Sequence, residues 1–130
     1  ESGRSPSAAE LARELEATPE SVTEALKALE ANHALVLAPA TTCTIWMAHP
    51  FSAVPTSHRV IADGRSWWAN CAWDALGVAS LLRADAVVRS RCDDCAAPIE
   101  VTVRQGRVSG EAVIHMAVPP RNFWRNIAYT

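Results

Sequence analysis

Apolar residues in the N-terminal part of the chain recur at helical intervals, and further on that spacing gives way to short strand-like runs. Ala8, Leu11, Ala12 and Leu15 form one helical stripe, and Ser7 followed by Glu10 supplies a capping box at its start. "ATPES" ends this helix and starts another: Thr18 caps, Pro19 suits the first helical position and Glu20 complements the dipole. Val22, Ala25, Leu26 and Leu29 then share one face, and "ALVLAP" follows as a strand candidate. Two short helices, a tight turn and a strand read as a helix-turn-helix with the start of a wing. From Thr41 the texture is strands and loops. "TTCTIWMA" is strand-like, "HPFSAVPTS" is a loop fixed by Pro50 and Pro55, and "HRVIA" and "RSWWA" flank Asp63-Gly64, a hairpin signature. A helix containing Cys71 runs to about Leu82. After it come "AVVRS", a "CDDC" turn, "IEVTV", a Gln105-Gly106 turn and the run "AVIHMAV", which Pro119 and Pro120 end. This order predicts an α+β fold: a winged-helix-like helical module over residues 1–40, then a mainly antiparallel sheet with one central helix over residues 41–130.

Charge bears on the role of the helical module. A recognition helix normally turns Arg, Lys, Asn or Gln toward the bases. "PESVTEALKALEAN" offers Lys27 against Glu20, Glu24 and Glu30, so the module is expected to pack rather than read DNA. The formal net charge of -2 gives no long-range attraction to nucleic acid or an anionic membrane. No apolar run approaches the roughly 18 residues of a membrane span, and no signal peptide heads the chain, so a soluble, cytoplasmic protein is expected. In a reducing compartment Cys43, Cys71, Cys92 and Cys95 read as thiols, metal ligands or catalytic groups.

Candidate chemistry concentrates in "WWANCAWDALG", Trp67 to Gly77. On a helix, residues three apart share a face, so Cys71 and Asp74 point the same way. With Asn70 as N-cap, or a helix beginning slightly earlier, Cys71 falls in the first turn, where the dipole and free N–H groups favour a thiolate. Asp74 lies one turn on beneath Trp67, Trp68 and Trp73, and apolar surroundings favour a carboxyl that keeps its proton, as a general acid must. Spacing alone favours a buried cysteine spacer and a solvated first-turn carboxylate.

The wider string "IWMAHPFSAVPTSHRV", then "RSWWANCAWDALG", then a strand and a cysteine-containing turn, resembles the organomercurial (alkylmercury) lyases over most of the chain. The resemblance implies protonolysis of a carbon–mercury bond with Cys71 and Asp74 as catalytic residues. Cys71 takes the organomercurial as a thiolate, following the preference of soft metals for sulfur. Asp74 delivers the proton to the departing carbon, giving hydrocarbon and Hg(II). No cofactor is implied: mercury is substrate and product, and cellular thiols are co-reactants. The implied partners are a small organomercurial and, for the product, thiols or a mercuric reductase, with neither nucleic acid nor membrane. The tail "NFWRNIAYT" is similar to the approach to the family's second essential cysteine, which is expected just after Thr130. The first residue, Glu1, and the end at Thr130 lead to the expectation that these 130 residues are part of a longer product and bind organomercury with little turnover.

"CDDC" has the spacing of half a zinc site or a redox pair. No second pair completes four ligands, and Asp93 and Asp94 are expected to raise the thiol pKa values, so a structural turn is the first reading and a labile metal site at Cys92 and Cys95 the alternative. His49 lies in a loop able to approach the pocket, although loop histidines are usually just exposed; His33, His58 and His115 carry no recognisable spacing. Trp46, Trp67, Trp68 and Trp124 are expected as core or pocket wall. The alternative from a different class is a non-catalytic thiol metal-binding protein or metal sensor of the same fold, and the acidic second helix counts against the sensor.

Overall fold

The computed structural model describes residues 4–39 and 43–128. Local signals near the N-terminus act as expected. Helix α1 spans Ala8–Glu14, with Ser7 and Glu10 forming the reciprocal capping box, and α2 spans Pro19–Ala31 behind Thr18, whose side chain accepts from the Ser21 N–H. The buried stripe is narrower than the sequence implied. Ala12, Val22 and Leu26 are buried, whereas Leu15 and Leu29 are 65% and 45% exposed. These three pack with Leu35, Cys43 and Ile45 in one core cluster, so residues on both sides of the 40–41 boundary share it. That boundary itself lies outside the described residues.

Strand β1 (Val36–Leu37) enters the sheet directly after α2. Glu30, read from sequence as a phosphate-repelling charge, accepts the Leu37 N–H at 2.8 Å and fastens α2 to β1. The sheet continues through β2 (Ile45–Ala48), β3 (Phe51–Ser52), β4 (Arg59–Ala62), β5 (Arg65–Ala69), β6 (Ala86–Arg91), β7 (Pro98–Arg104) and β8 (Arg107–Ser109). The eight strands lie in the order β1-β2-β3-β5-β4-β6-β7-β8. Neighbouring strands pair antiparallel throughout this order. Asp63 and Gly64 both take positive φ, 48° and 70°, as do Gln105 and Gly106, 50° and 75°. Two-residue hairpin turns need that backbone, so both dipeptides mark real hairpins.

Helix α3 (Ala72–Leu82) lies across β4, β5 and β6. Alternate residues of the sheet meet it: Val60 and Ala62, Trp67 and Ala69, Ala86 and Val88, Val101 and Val103. This is the period-two pattern of a sheet with one covered face. From the helix Ala75, Val78 and Ala79 close the contact, each 2% exposed or less. Small residues on both sides bring helix and sheet close together. The other face carries polar pairs such as Arg89–Glu100 at 2.9 Å and Arg59 over the Trp68 ring.

Two sequence expectations are corrected. "HPFSAVPTS" is not all loop: Phe51–Ser52 forms β3, pairing with both β2 and β5. Two residues between prolines carry no local strand signal, so their pairing comes from the neighbouring strands. "AVIHMAV" is not a strand; β8 ends at Ser109 and residues 112–118 have no ladder. Gly110, at φ 136°, sits so close to β7 that a Cβ would lie 3.1 Å from the Glu100 carbonyl oxygen. There the chain leaves the sheet, and Val113 is left 92% exposed. A 3-10 helix, Pro120–Arg125, follows.

Candidate active site

Strand β5 delivers the chain into α3 at residues 70 and 71, and two ties fix that junction. Thr56 Oγ1 donates to the Ala69 carbonyl at 2.6 Å, and the Ala69 N–H donates to the His58 carbonyl at 3.0 Å. The N-cap is Cys71, not Asn70: φ -144° and ψ 178° put Cys71 in extended backbone, and its sulfur accepts the Asp74 N–H at 3.4 Å. Cysteine here does what Ser or Asp usually does at a cap, with a weaker acceptor. Cys71 and Asp74 do share one face of the first turn, as the spacing requires.

The thiol of Cys71 is not tuned as the dipole argument expected. Burial pushes its pKa up, the Asp74 N–H opposes this, and the negative charge of Asp74 adds to the rise. Desolvation of the charged form outweighs one long N–H···S contact. Cys71 therefore keeps its proton more firmly than an ordinary thiol.

Asp74 is partly buried, with 21% of its side chain exposed, and the ring facing it is that of His49 rather than a tryptophan. Trp73 points outward, 61% exposed. Trp67 and Trp68 are successive residues on β5, so they go to opposite faces. Both border an apolar cavity of about 350 Å³ with Phe51 and Ile45, whose walls include neither Cys71 nor Asp74. Around the cap, His49 Nδ1 lies 3.8 Å from Asp74 Oδ2 and 3.2 Å from the Asn70 side-chain amide. Trp124 meets the His49 ring edge-on at 5.5 Å and stacks on His33 at 4.2 Å.

His49 reaches this position through strand register. Phe51 pairs with Ala69 across β3 and β5, and the Asn70 N–H continues the ladder to the Pro50 carbonyl at 3.4 Å. Ala48 pairs with Phe51 across β2 and β3, so His49 and Pro50 form the turn between these strands, and that turn sits beside the cap of α3. The helix accommodates this loop at Gly77, where an added Cβ would lie 3.3 Å from Pro50 Cβ. We expect Gly77→Leu to cost about 1–3 kcal/mol through overpacking and to push the His49 loop off α3. Thermal unfolding checks this, and an unchanged melting temperature would show that Pro50 does not need the space.

The remaining cysteines are dispersed. Cys43 is buried in the N-terminal cluster. Cys92 and Cys95 stand in the turn between β6 and β7, and all four cysteines are free thiols. Cys92 departs from expectation. Its pKa is lowered, because the backbone N–H of Cys95 and then that of Asp94 donate to its sulfur, with the Cys95 thiol adding a third hydrogen bond; the Asp94 charge opposes them and loses. His58 holds Ser90 Oγ at 2.9 Å, and burial lowers its pKa against the pull of Asp93 and Asp74. His115 is exposed. No helix among the described residues is long and apolar enough to cross a membrane.

The cap thus joins a protonated, soft nucleophile to a carboxylate one turn on, with an imidazole beside the carboxylate. The alkylmercury lyase family, MerB, matches residues 51–130. A solved structure described as the mercury-bound form of MerB2 aligns with a TM-score of 0.66 at 29% identity, covering 82% of this chain and 51% of that one. The chain spans about half the length of that protein. No curated protein matches.

Proposed function

The chain belongs to the alkylmercury lyase family, and on that premise we propose that it captures organomercurials on Cys71 and cleaves the carbon–mercury bond by protonolysis through Asp74. The observation that carries this reading is the shared first turn: the Cys71 sulfur accepts the Asp74 N–H at 3.4 Å.

The step balances on these two residues. An organomercurial cation meets the Cys71 thiol, a sulfur–mercury bond forms, and the thiol proton passes to the Asp74 carboxylate. Asp74 then protonates the carbon as the mercury–carbon bond breaks. The bonding pair becomes the new C–H bond, and Hg(II) stays on sulfur. The raised pKa of Cys71 suits this order, because the proton remains until mercury replaces it. His49 orients the carboxylate and, when protonated, offsets its charge. A second thiolate on mercury raises its electron density and weakens the bond to carbon. Cellular thiols then carry Hg(II) away, toward a mercuric reductase in a detoxifying cell. Mercury is substrate and product, no resident cofactor takes part, and the cytoplasm supplies the thiols.

Headspace detection of benzene from phenylmercury in excess thiol tests the reading. Benzene formed above the thiol-only background supports it, and intact phenylmercury recovered in full opposes it. Capture should also depend on pH in a set direction. With the Cys71 pKa raised, the thiolate fraction keeps growing past the range where an ordinary thiol has finished titrating. Stopped-flow capture rates should climb through that range, and a plateau below it would contradict the burial argument.

A further inference from the structure

We propose that Cys92 and Cys95 form a second soft-metal site, a two-thiolate clamp for Hg(II) separate from Cys71. The turn between β6 and β7 is closed by two backbone bonds: Cys92 N–H to the Ala97 carbonyl and Ala96 N–H to the Cys92 carbonyl, both 2.9 Å. Ala96 takes the left-handed backbone at φ 57°, which turns the chain back into β7. The result keeps the two cysteines, three residues apart, in one closed loop. The N–H groups of Cys95 and Asp94 and the Cys95 thiol lie close enough to the Cys92 sulfur to favour its charged form. Such donors disperse the charge of a metal-bound sulfur, and both thiols are free.

The chemistry of the occupant follows from what is absent. No group of three or more His, Cys, Asp or Glu side chains able to hold a metal occurs among the described residues. Zinc asks for about four ligands in a closed site, so it is poorly served. A soft cation content with two sulfurs is well served, and Hg(II) is that cation. Asp93 and Asp94 between the thiols add negative charge that attracts it. The turn also borders a cavity of about 450 Å³ whose walls run from Cys92 and Asp93 past His58 to Ala72, the residue after Cys71. Binding releases two thiol protons and forms two S–Hg bonds; from a glutathione complex, two protein thiols replace two glutathiones with no net proton change. The geometry stands alone, whereas the supply of Hg(II) rests on the lyase reading.

The test is a titration of Cys71→Ser protein with Hg(II) in competing glutathione, read by S-to-Hg charge-transfer absorption, native mass and free-thiol count. One Hg(II) per chain, with two thiols consumed, is expected. Adding Cys95→Ser should weaken apparent binding by roughly 10²-fold, since a chelate becomes a single contact. Cys95 is exposed, so this variant should keep its fold, which circular dichroism verifies. Equal binding with and without Cys95, consumption of one thiol only, or loss of both thiols to a disulfide with no metal taken up would overturn the site. Clamp binding in a protein that releases no benzene would fail the lyase reading and leave the site standing.

Discussion

Replacing Cys71 by serine should abolish capture of organomercurials and turnover together. Oxygen is a poor ligand for a soft metal, and a serine hydroxyl gives up its proton far less readily than a thiol. The fold should tolerate the change. The native sulfur already acts as N-cap of α3, accepting the Asp74 N–H, and serine is a better cap than cysteine. The variant should therefore be at least as stable as the parent while retaining no phenylmercury at position 71 in excess monothiol. Peptide mapping of the adduct by mass spectrometry gives the answer. If the Cys71→Ser protein held phenylmercury as tightly as the parent, Cys71 would not be the capturing thiol.

Asp74→Asn separates binding from chemistry. An amide is close in size to the carboxyl and leaves the backbone N–H to the Cys71 sulfur in place, so capture should persist. It cannot receive the thiol proton and hand it to carbon. Loss of a positioned general acid typically costs about 10²–10⁴-fold, so benzene release should fall by that order while bound phenylmercury accumulates. A variant with both capture and release intact would assign the proton to another group, and His49, at 3.8 Å from Asp74, is the nearest one described.

Much of the fold was legible because its signals are local. Ser7 with Glu10, Thr18 with Pro19, Asp63-Gly64 and Gln105-Gly106 each act within a few residues, and each marks the start of a helix or the tip of a hairpin. The extent of α3 and the shared face of Cys71 and Asp74 also follow from spacing. What sequence missed depends on distant pairing. Phe51–Ser52 is a strand only because β2 and β5 flank it. His49 meets Asp74 only because the β2–β3 turn at His49 and Pro50 is carried over α3 by those pairings. A clue to it was present in Gly77, a glycine inside a helix, which marks close approach of another segment. Trp73 could not be separated from Trp67 by composition, yet it faces solvent. The thiol pKa values of Cys71 and Cys92 reversed expectation for a related reason. Burial at Cys71 and the N–H bonds at Cys92 are tertiary and turn-level facts that charge counting does not contain.

The most direct test of the central claim is a single turnover in D₂O. The protein is loaded with one equivalent of phenylmercury, excess thiol is added, and the headspace is analysed by gas chromatography with mass detection. If the Cys71 proton travels through Asp74 to carbon, singly deuterated benzene appears in step with the loss of bound phenylmercury, and its yield collapses in Asp74→Asn. Phenylmercury recovered intact from the folded parent protein, or benzene formed at the parent rate by Asp74→Asn, would contradict the account.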